Sequence, residues 1–223
     1  MKKFISLLLT LVMSLTVAIP FGSAQTQNDI NEEENGYVFD ESFTQDQIDK
    51  IIANVESEEL QEQAEEGNLL QPYIDDSGTF IKFDDVKALE DGLPLELVQK
   101  TKEDYDKANA YLAKQQPKFS IQAKAKANCG GTNKFVGNIV AGTVYVDSCK
   151  TNKIIAIIAG GGGASSLVAL LPGGAAIAVV AVAIYTIGGA VISYNAADGN
   201  GIKIKILKNP ITGKVYPYWV KPQ

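Results

Sequence analysis

Ile154–Tyr194, IIAIIAGGGGASSLVALLPGGAAIAVVAVAIYTIGGAVISY, runs for 41 residues without an Asp, Glu, Lys or Arg. Charge-free apolar runs of about 18 residues or more are candidates for crossing a bilayer, and this one has room for two passes. Pro172-Gly173-Gly174 lies near its middle and reads as a turn, because proline removes a backbone donor and glycine admits left-handed dihedrals. The flanking segments, 154–170 and 173–194, would be about 26 and 33 Å long as helices, close to the roughly 30 Å hydrocarbon thickness. The expectation is a Gly/Ala-rich helical hairpin that inserts into a membrane. Ile154, Leu167, Val180, Tyr185 and Tyr194 lie along it, and Pro172 and Gly173 form its bend. The competing expectation is a hairpin buried in a soluble core, which needs apolar companions that the rest of the chain supplies sparingly. Gly160–Gly163 weaken the front segment, since each glycine costs about 1 kcal/mol relative to alanine inside a helix. Gly160/Ala164 and Gly174/Ala178 have the small-xxx-small spacing that permits self-association into a homo-oligomer.

The chain begins Met1-Lys2-Lys3, continues through apolar Phe4–Ile19 and reaches the small residues Gly22-Ser23-Ala24. That order predicts a signal peptide over 1–24, cut by signal peptidase between Ala24 and Gln25. The predicted destination is secretion, where cysteines can oxidise. Residues 25–127 then hold 24 Asp and Glu against 10 Lys, a net of −14, whereas 128–223 hold 8 Lys against Asp147 and Asp198, a net of +6. Such opposed halves are informative. Anionic bacterial membranes attract the basic half, while net negative charge keeps the acidic half soluble.

Within the acidic region, Ile48, Ile51, Ile52 and Val55 have helical spacing. The Glu- and Gln-rich Ser57–Gly67 is expected to continue that helix until Gly67-Asn68 ends it. Thr79–Phe83 alternates as a short strand after the turn Asp75–Gly78. Leu93-Pro94 opens a helix whose stripe is Leu95, Leu97, Val98, Tyr105, Ala108 and Leu112. Carboxylate pairs such as Asp75-Asp76 lack an EF-hand spacing and read as solvated turns. Pro117–Ala127, PKFSIQAKAKA, is a joint at the charge crossover. Ala125, Lys126, Ala127 and Asn128 are its expected processing site, cut by a second protease.

Cys129 and Cys149 are the whole cysteine complement, and an even count in an exported chain predicts one disulfide. Val140–Val146 is rich in β-branched residues and suits a strand. After the apolar run, Ile202-Lys203-Ile204-Lys205-Ile206 alternates, Asn209–Gly213 turns, and Lys214–Val220 returns. The prediction is a C-terminal cationic β-hairpin. Lys203, Lys205, Lys208, Lys214, Tyr216, Tyr218 and Trp219 would rest on anionic headgroups, with aromatics at the interface level. Lys134, Lys150, Lys153 and Lys221 would add to the attraction. Structurally, the same residues also suit edge-strand protection and core aromatics. The chain contains no His and no Arg. A thiol would therefore lack a histidine base, and bidentate phosphate recognition lacks its usual residue. Enzymatic activity, a cofactor, a metal site and nucleic-acid binding are not expected.

The fold class predicted is mainly α with small β elements (α+β): signal peptide 1–24, acidic helical pro-region 25–127 and mature part 128–223. From Cys129 to Tyr194 the layout resembles the sporulation-delaying toxin precursors of Gram-positive bacteria. In these, a charged pro-region precedes a small secreted peptide with two cysteines and a Gly/Ala/Val-rich tail. The resemblance implies a bacteriocin that collapses the proton gradient of target cells, with a cognate immunity protein. This chain differs in its wider cysteine spacing and in the basic aromatic tail over 202–223. The alternative expectation is an envelope protein of the producer's membrane, anchored by 154–194 and bearing an extracytoplasmic binding or immunity domain.

Overall fold

A computed structural model describes residues 35–115, 129–168, 170–171 and 177–223. The expected cut sites at Ala24, Gln25, Ala125, Lys126, Ala127 and Asn128, and the bend at Pro172 and Gly173, lie outside these residues. All described residues belong to one compact unit, Glu32–Gln223. It is mainly helical with two small antiparallel sheets, as the sequence predicts.

In the acidic half, helix α1 spans Gln45–Glu56 and α2 spans Glu58–Leu70. The Gln47 side chain accepts from Thr44 N at 2.7 Å, satisfying a backbone donor that the first turn leaves unpaired. The single helix expected across 45–67 is instead two. Ser57 leaves helical geometry (φ −70°, ψ 115°) and its hydroxyl accepts from Leu60 N at 3.3 Å, so it starts α2. Nor does α2 stop at Gly67. That glycine lies against the Ser165 carbonyl, and a methyl group built on it would sit 2.6 Å from the oxygen. Strand β1 (Ile74–Asp75) pairs with β2 (Lys82–Phe83). The latter is all that forms of the strand expected over 79–83. Helix α3 is Asp85–Glu90, and α4 runs Leu95–Gln115 directly after Pro94.

In the basic half, β3 (Lys134–Gly137) and β4 (Ala141–Val146) form a hairpin. Helices α5 (Ser148–Ala159), α6 (Ala164–Val168), α7 (Ile177–Ile187) and α8 (Gly189–Asn195) follow, and then β5 (Ile202–Lys208) and β6 (Val215–Pro222). The sheet order is β3-β4-β5-β6, so the strands on either side of the apolar run pair directly, Val146 opposite Ile202. The Cys129–Cys149 disulfide forms, with a Cα–Cα distance of 5.3 Å.

Two spanning helices do not form over 154–194. The front segment breaks at the glycine run, where Gly161 takes φ +78°, a conformation that only glycine adopts cheaply. The rear segment breaks at Gly188, φ +77°, where the helix pair turns by 86°. Among the described residues no single helix is long and apolar enough to cross a membrane, although that bent pair passes on length and composition. The expected shortage of apolar companions is also corrected. Ile48, Ile51 and Val55 of α1, Ala64 and Leu70 of α2, and Tyr105, Ala108 and Leu112 of α4 share one core with Ile154, Ile157, Leu167, Val182 and Ile184. Helix α2 packs on α6 and α7, α1 on α7, and α4 on α5. The acidic half thus covers the apolar run.

The approach at Gly67 makes a prediction opposite to helix propensity. Alanine normally gains about 1 kcal/mol over glycine inside a helix. Gly67→Ala should instead lose about 2 kcal/mol, because the Ser165 backbone must yield. A raised urea midpoint for this variant would contradict the packing.

Candidate functional site

Three features of the basic half bear on chemistry: the outer face of its sheet, its buried apolar run, and the seam against the acidic half. Directly opposed residues of an antiparallel sheet share a face. The register therefore aligns Lys134, Tyr145, Lys203 and Lys221 in one cross-strand row, and Val136, Thr143, Lys205 and Trp219 in the next same-face row. Ile202, Ile204, Ile206, Val144 and Val146 point the other way and are buried. Lys134 Nζ stands 4.7 Å from the Tyr145 ring centroid and Lys221 Nζ 5.3 Å from that of Trp219, both within cation–π range. The result is a lysine-and-aromatic face suited to anionic groups.

Of the predicted surface residues, Lys203, Lys205 and Trp219 lie on this face, each half-exposed. Lys208 is exposed, while Lys214 and Tyr218 are half-exposed. Tyr216 is not a surface residue. The sheet register slips between Lys205, opposite Trp219, and Ile206, opposite Pro217, so Tyr218 is extra and Tyr216 comes opposite Leu207. A strap from the acidic half covers Tyr216. Tyr37 and Phe39 bring their rings to 4.9 and 5.2 Å from its ring, and its hydroxyl accepts from Val38 N at 3.1 Å. Among the predicted insertion residues that the structure describes, Ile154, Leu167 and Val180 are buried, Tyr185 is half-buried, and Tyr194 projects, 84% exposed.

The seam is polar at fixed points. Asp104 of α4, 4% exposed, accepts from Gly163 N at 3.2 Å, Ser166 Oγ at 2.8 Å and Lys100 Nζ at 3.0 Å. It thereby holds the break between α5 and α6. Beside it, Tyr105 Oη donates to Ser166 O at 2.9 Å. Towards the C-terminal end of α4 a cleft of about 980 Å³ runs between the halves, lined by residues including Asp76, Tyr111, Gln115, Cys129, Lys150 and Lys153. Lys150 Nζ lies 2.6 Å from Asp76 Oδ2 as an ion pair, without hydrogen-bond geometry, and donates to Leu170 O at 3.0 Å. Lys153, 2% exposed, donates to the Asp76 carbonyl, and burial pushes its ammonium below the usual lysine range. Both lysines were expected to attract membranes; in this structure they face the acidic half.

Cys129, Asp147 and Cys149 bring their ligand-type atoms within 4.8 Å of one another. Both sulfurs are joined in the disulfide. Asp147 is engaged as the cap of α5, accepting from Lys150 N at 2.8 Å, and by Asn133. This arrangement is a structural corner and has no thiolate to offer a metal. The Asn209–Gly213 turn has a structural cause too. Buried Asn209 accepts from Ile211 N at 2.8 Å and Thr212 N at 3.1 Å, and donates to Asn35 O at 2.8 Å.

No family model, curated protein or solved structure matches the chain.

Sequence reasoning misses Asp40 and Asp104 and reads Asp76 as part of a solvated turn, whereas its largely buried carboxylate pairs with Lys150; all three carboxylates grip the basic half. Asp104 had a legible signal, because Leu97, Thr101, Asp104 and Ala108 fall at 4-3-4 spacing along one buried stripe. Asp40 gives a pH prediction. Burial raises its pKa, but hydrogen bonds from Ser42 N and Ser42 Oγ and the Lys221 ammonium at 3.2 Å outweigh burial and hold it below the ordinary 3.8. A depressed carboxylate stabilises the fold above its unfolded pKa and loses that contribution as pH falls through its folded one. Asp40→Asn should therefore flatten part of the acid-side loss of stability below about pH 4, measured by thermal melting across pH. Identical acid profiles for parent and variant would rule the contact out as a contributor.

Proposed function

We propose that the chain is the secreted precursor of a membrane-active antimicrobial peptide and is not an enzyme. Residues 25–127 act as an acidic cover, and 128–223 permeabilise anionic bacterial membranes after proteolysis. One observation carries this reading: the charge-free run is packed under helices of the acidic half, beside a lysine-and-aromatic sheet face. A soluble precursor needs its apolar surface hidden, and a membrane-active product needs cationic attraction followed by apolar burial. Signal peptidase, a second protease and a cognate immunity protein are the partners this reading implies, and a homo-oligomer in the membrane is compatible with it. The envelope-anchor alternative draws on the bent pair Ala178–Ile187 and Gly189–Asn195. Burial of the run against α1, α2 and α4 favours the covered precursor over a permanently inserted anchor.

Mass spectrometry of culture medium tests processing. A species beginning near Asn128 is expected, and finding only protein that begins near Gln25 would defeat the proposal. Membrane attraction is read separately by binding of the processed protein to phosphatidylglycerol vesicles. At about 1 kcal/mol per lysine near an anionic surface, Lys203→Gln with Lys205→Gln should weaken binding roughly 30-fold. Unchanged binding would remove the sheet face from the mechanism.

A further inference from the structure

We propose that cleavage within residues 116–128 does not release the basic half, because 35–115 remain docked on 129–223 as a separate inhibitory chain. This rests on the precursor reading and adds its regulation: proteolysis arms the product, and a second event must strip the cover.

The contacts that join the halves among the described residues need nothing from the segment between Gln115 and Cys129. Three helices of the acidic half contribute to the same core as the apolar run. At Gly67 the two halves approach so closely that a single methyl group is excluded. Buried polar contacts fix the register at the glycine break through Asp104 and Tyr105. At the far end the strap binds the sheet, with Asp40 N donating to Tyr218 O at 3.0 Å and Asp40 pairing with Lys221 at 3.2 Å. Gln115 and Cys129, which bound the joint, both line one cleft. A cut between them therefore severs a connection whose two ends already meet the same cavity.

Charge favours the docked state further. Hydrolysis of one peptide bond consumes a water and leaves a carboxylate on the acidic piece and an ammonium on the basic piece. Each new terminus enlarges the opposition of −14 and +6. A cover that buries apolar surface and satisfies buried donors behaves as an interface core, which packs like a protein interior and excludes water.

The experiment uses the chain from Gln25 to Gln223 with a site-specific protease sequence inserted between Ser120 and Ile121, before and after cutting. Size-exclusion chromatography at about 1 µM should give one peak containing both fragments by mass spectrometry, with the melting transition retained. Two peaks without denaturant, or loss of the folded signal on cutting, would overturn the proposal. Asp104→Ala in the cut protein should shorten the lifetime of the pair at least tenfold, read by exchange against labelled acidic fragment. An unchanged lifetime would overturn the assigned contact surface. Dye release from phosphatidylglycerol vesicles separates this inference from the precursor reading. A docked pair that is silent, with release appearing as the pair dissociates, supports both. A docked pair that leaks vesicles as fast as dissociated fragments shows that the acidic chain is no inhibitor. A docked pair whose basic fragment, once separated by denaturant and refolded, never permeabilises vesicles removes the membrane activity and leaves the docking inference standing.

Discussion

Asp104→Ala is expected to cost the folded chain about 4 kcal/mol, the largest effect of any single substitution considered. The carboxylate is buried and receives three donors, two of which belong to the other half of the protein. Lys100 is 49% exposed and returns to water when its partner is removed. Gly163 N–H and the Ser166 hydroxyl are buried and cannot. Each orphaned buried donor costs about 1–3 kcal/mol, and the missing side-chain volume adds a cavity contribution. Asp104→Asn keeps an acceptor of similar shape and should cost about half as much. Urea unfolding of both variants checks this, with an unchanged slope showing that only stability has moved. A loss under about 1 kcal/mol for Asp104→Ala would mean that water or a rearranged glycine run replaces the carboxylate.

The second large effect is the disulfide. Cys129 and Cys149 are separated by 20 positions, and closing a loop of that length stabilises by about 3 kcal/mol in the chain-entropy account. Its location suits that role. Cys149 sits in the first turn of α5, next to the cap Asp147, and Gly130 N donates to Ser148 Oγ at 2.9 Å. The bond thus secures the start of the basic half to the helix that leads into the apolar run. Cys129→Ser with Cys149→Ser should lower stability by about that amount, and parent protein in reductant should match the double variant. If the reduced parent keeps its urea midpoint, the loop is already closed by the β3–β4 hairpin and the Asn133–Asp147 contacts.

Much of the local structure was legible. Alternation located β5 and its lysine face, Pro94 located the start of α4, and the paired cysteines located the disulfide. These are short-range signals, carried by a side chain and its near neighbours. The long-range relations were not legible. The two amphipathic stripes of the acidic half each look modest alone, and nothing in their spacing says that they converge, with the Glu-rich α2, on one apolar run. Gly67 looked like a helix stop because its reason for being glycine lies nearly a hundred residues away at Ser165. Lys134 and Lys221 were recognised as cations, but their alignment with Lys203 depends on strand order. Sequence alone places Tyr216 at the surface, because the bulge and the distant strap that bury it leave no local signal.

Direct pairing of β4 with β5 carries a topological consequence. The polypeptide leaves the sheet at Val146 and re-enters it at Ile202, its antiparallel neighbour. Everything between is a lasso whose neck is tied by backbone hydrogen bonds. If that lasso swings into a lipid layer while the knot holds, both strands of the neck remain at the same leaflet. The excursion must then cross an even number of times or dip and return, so Cys149 and Asp198, just outside the two ends of the apolar run, stay in one compartment.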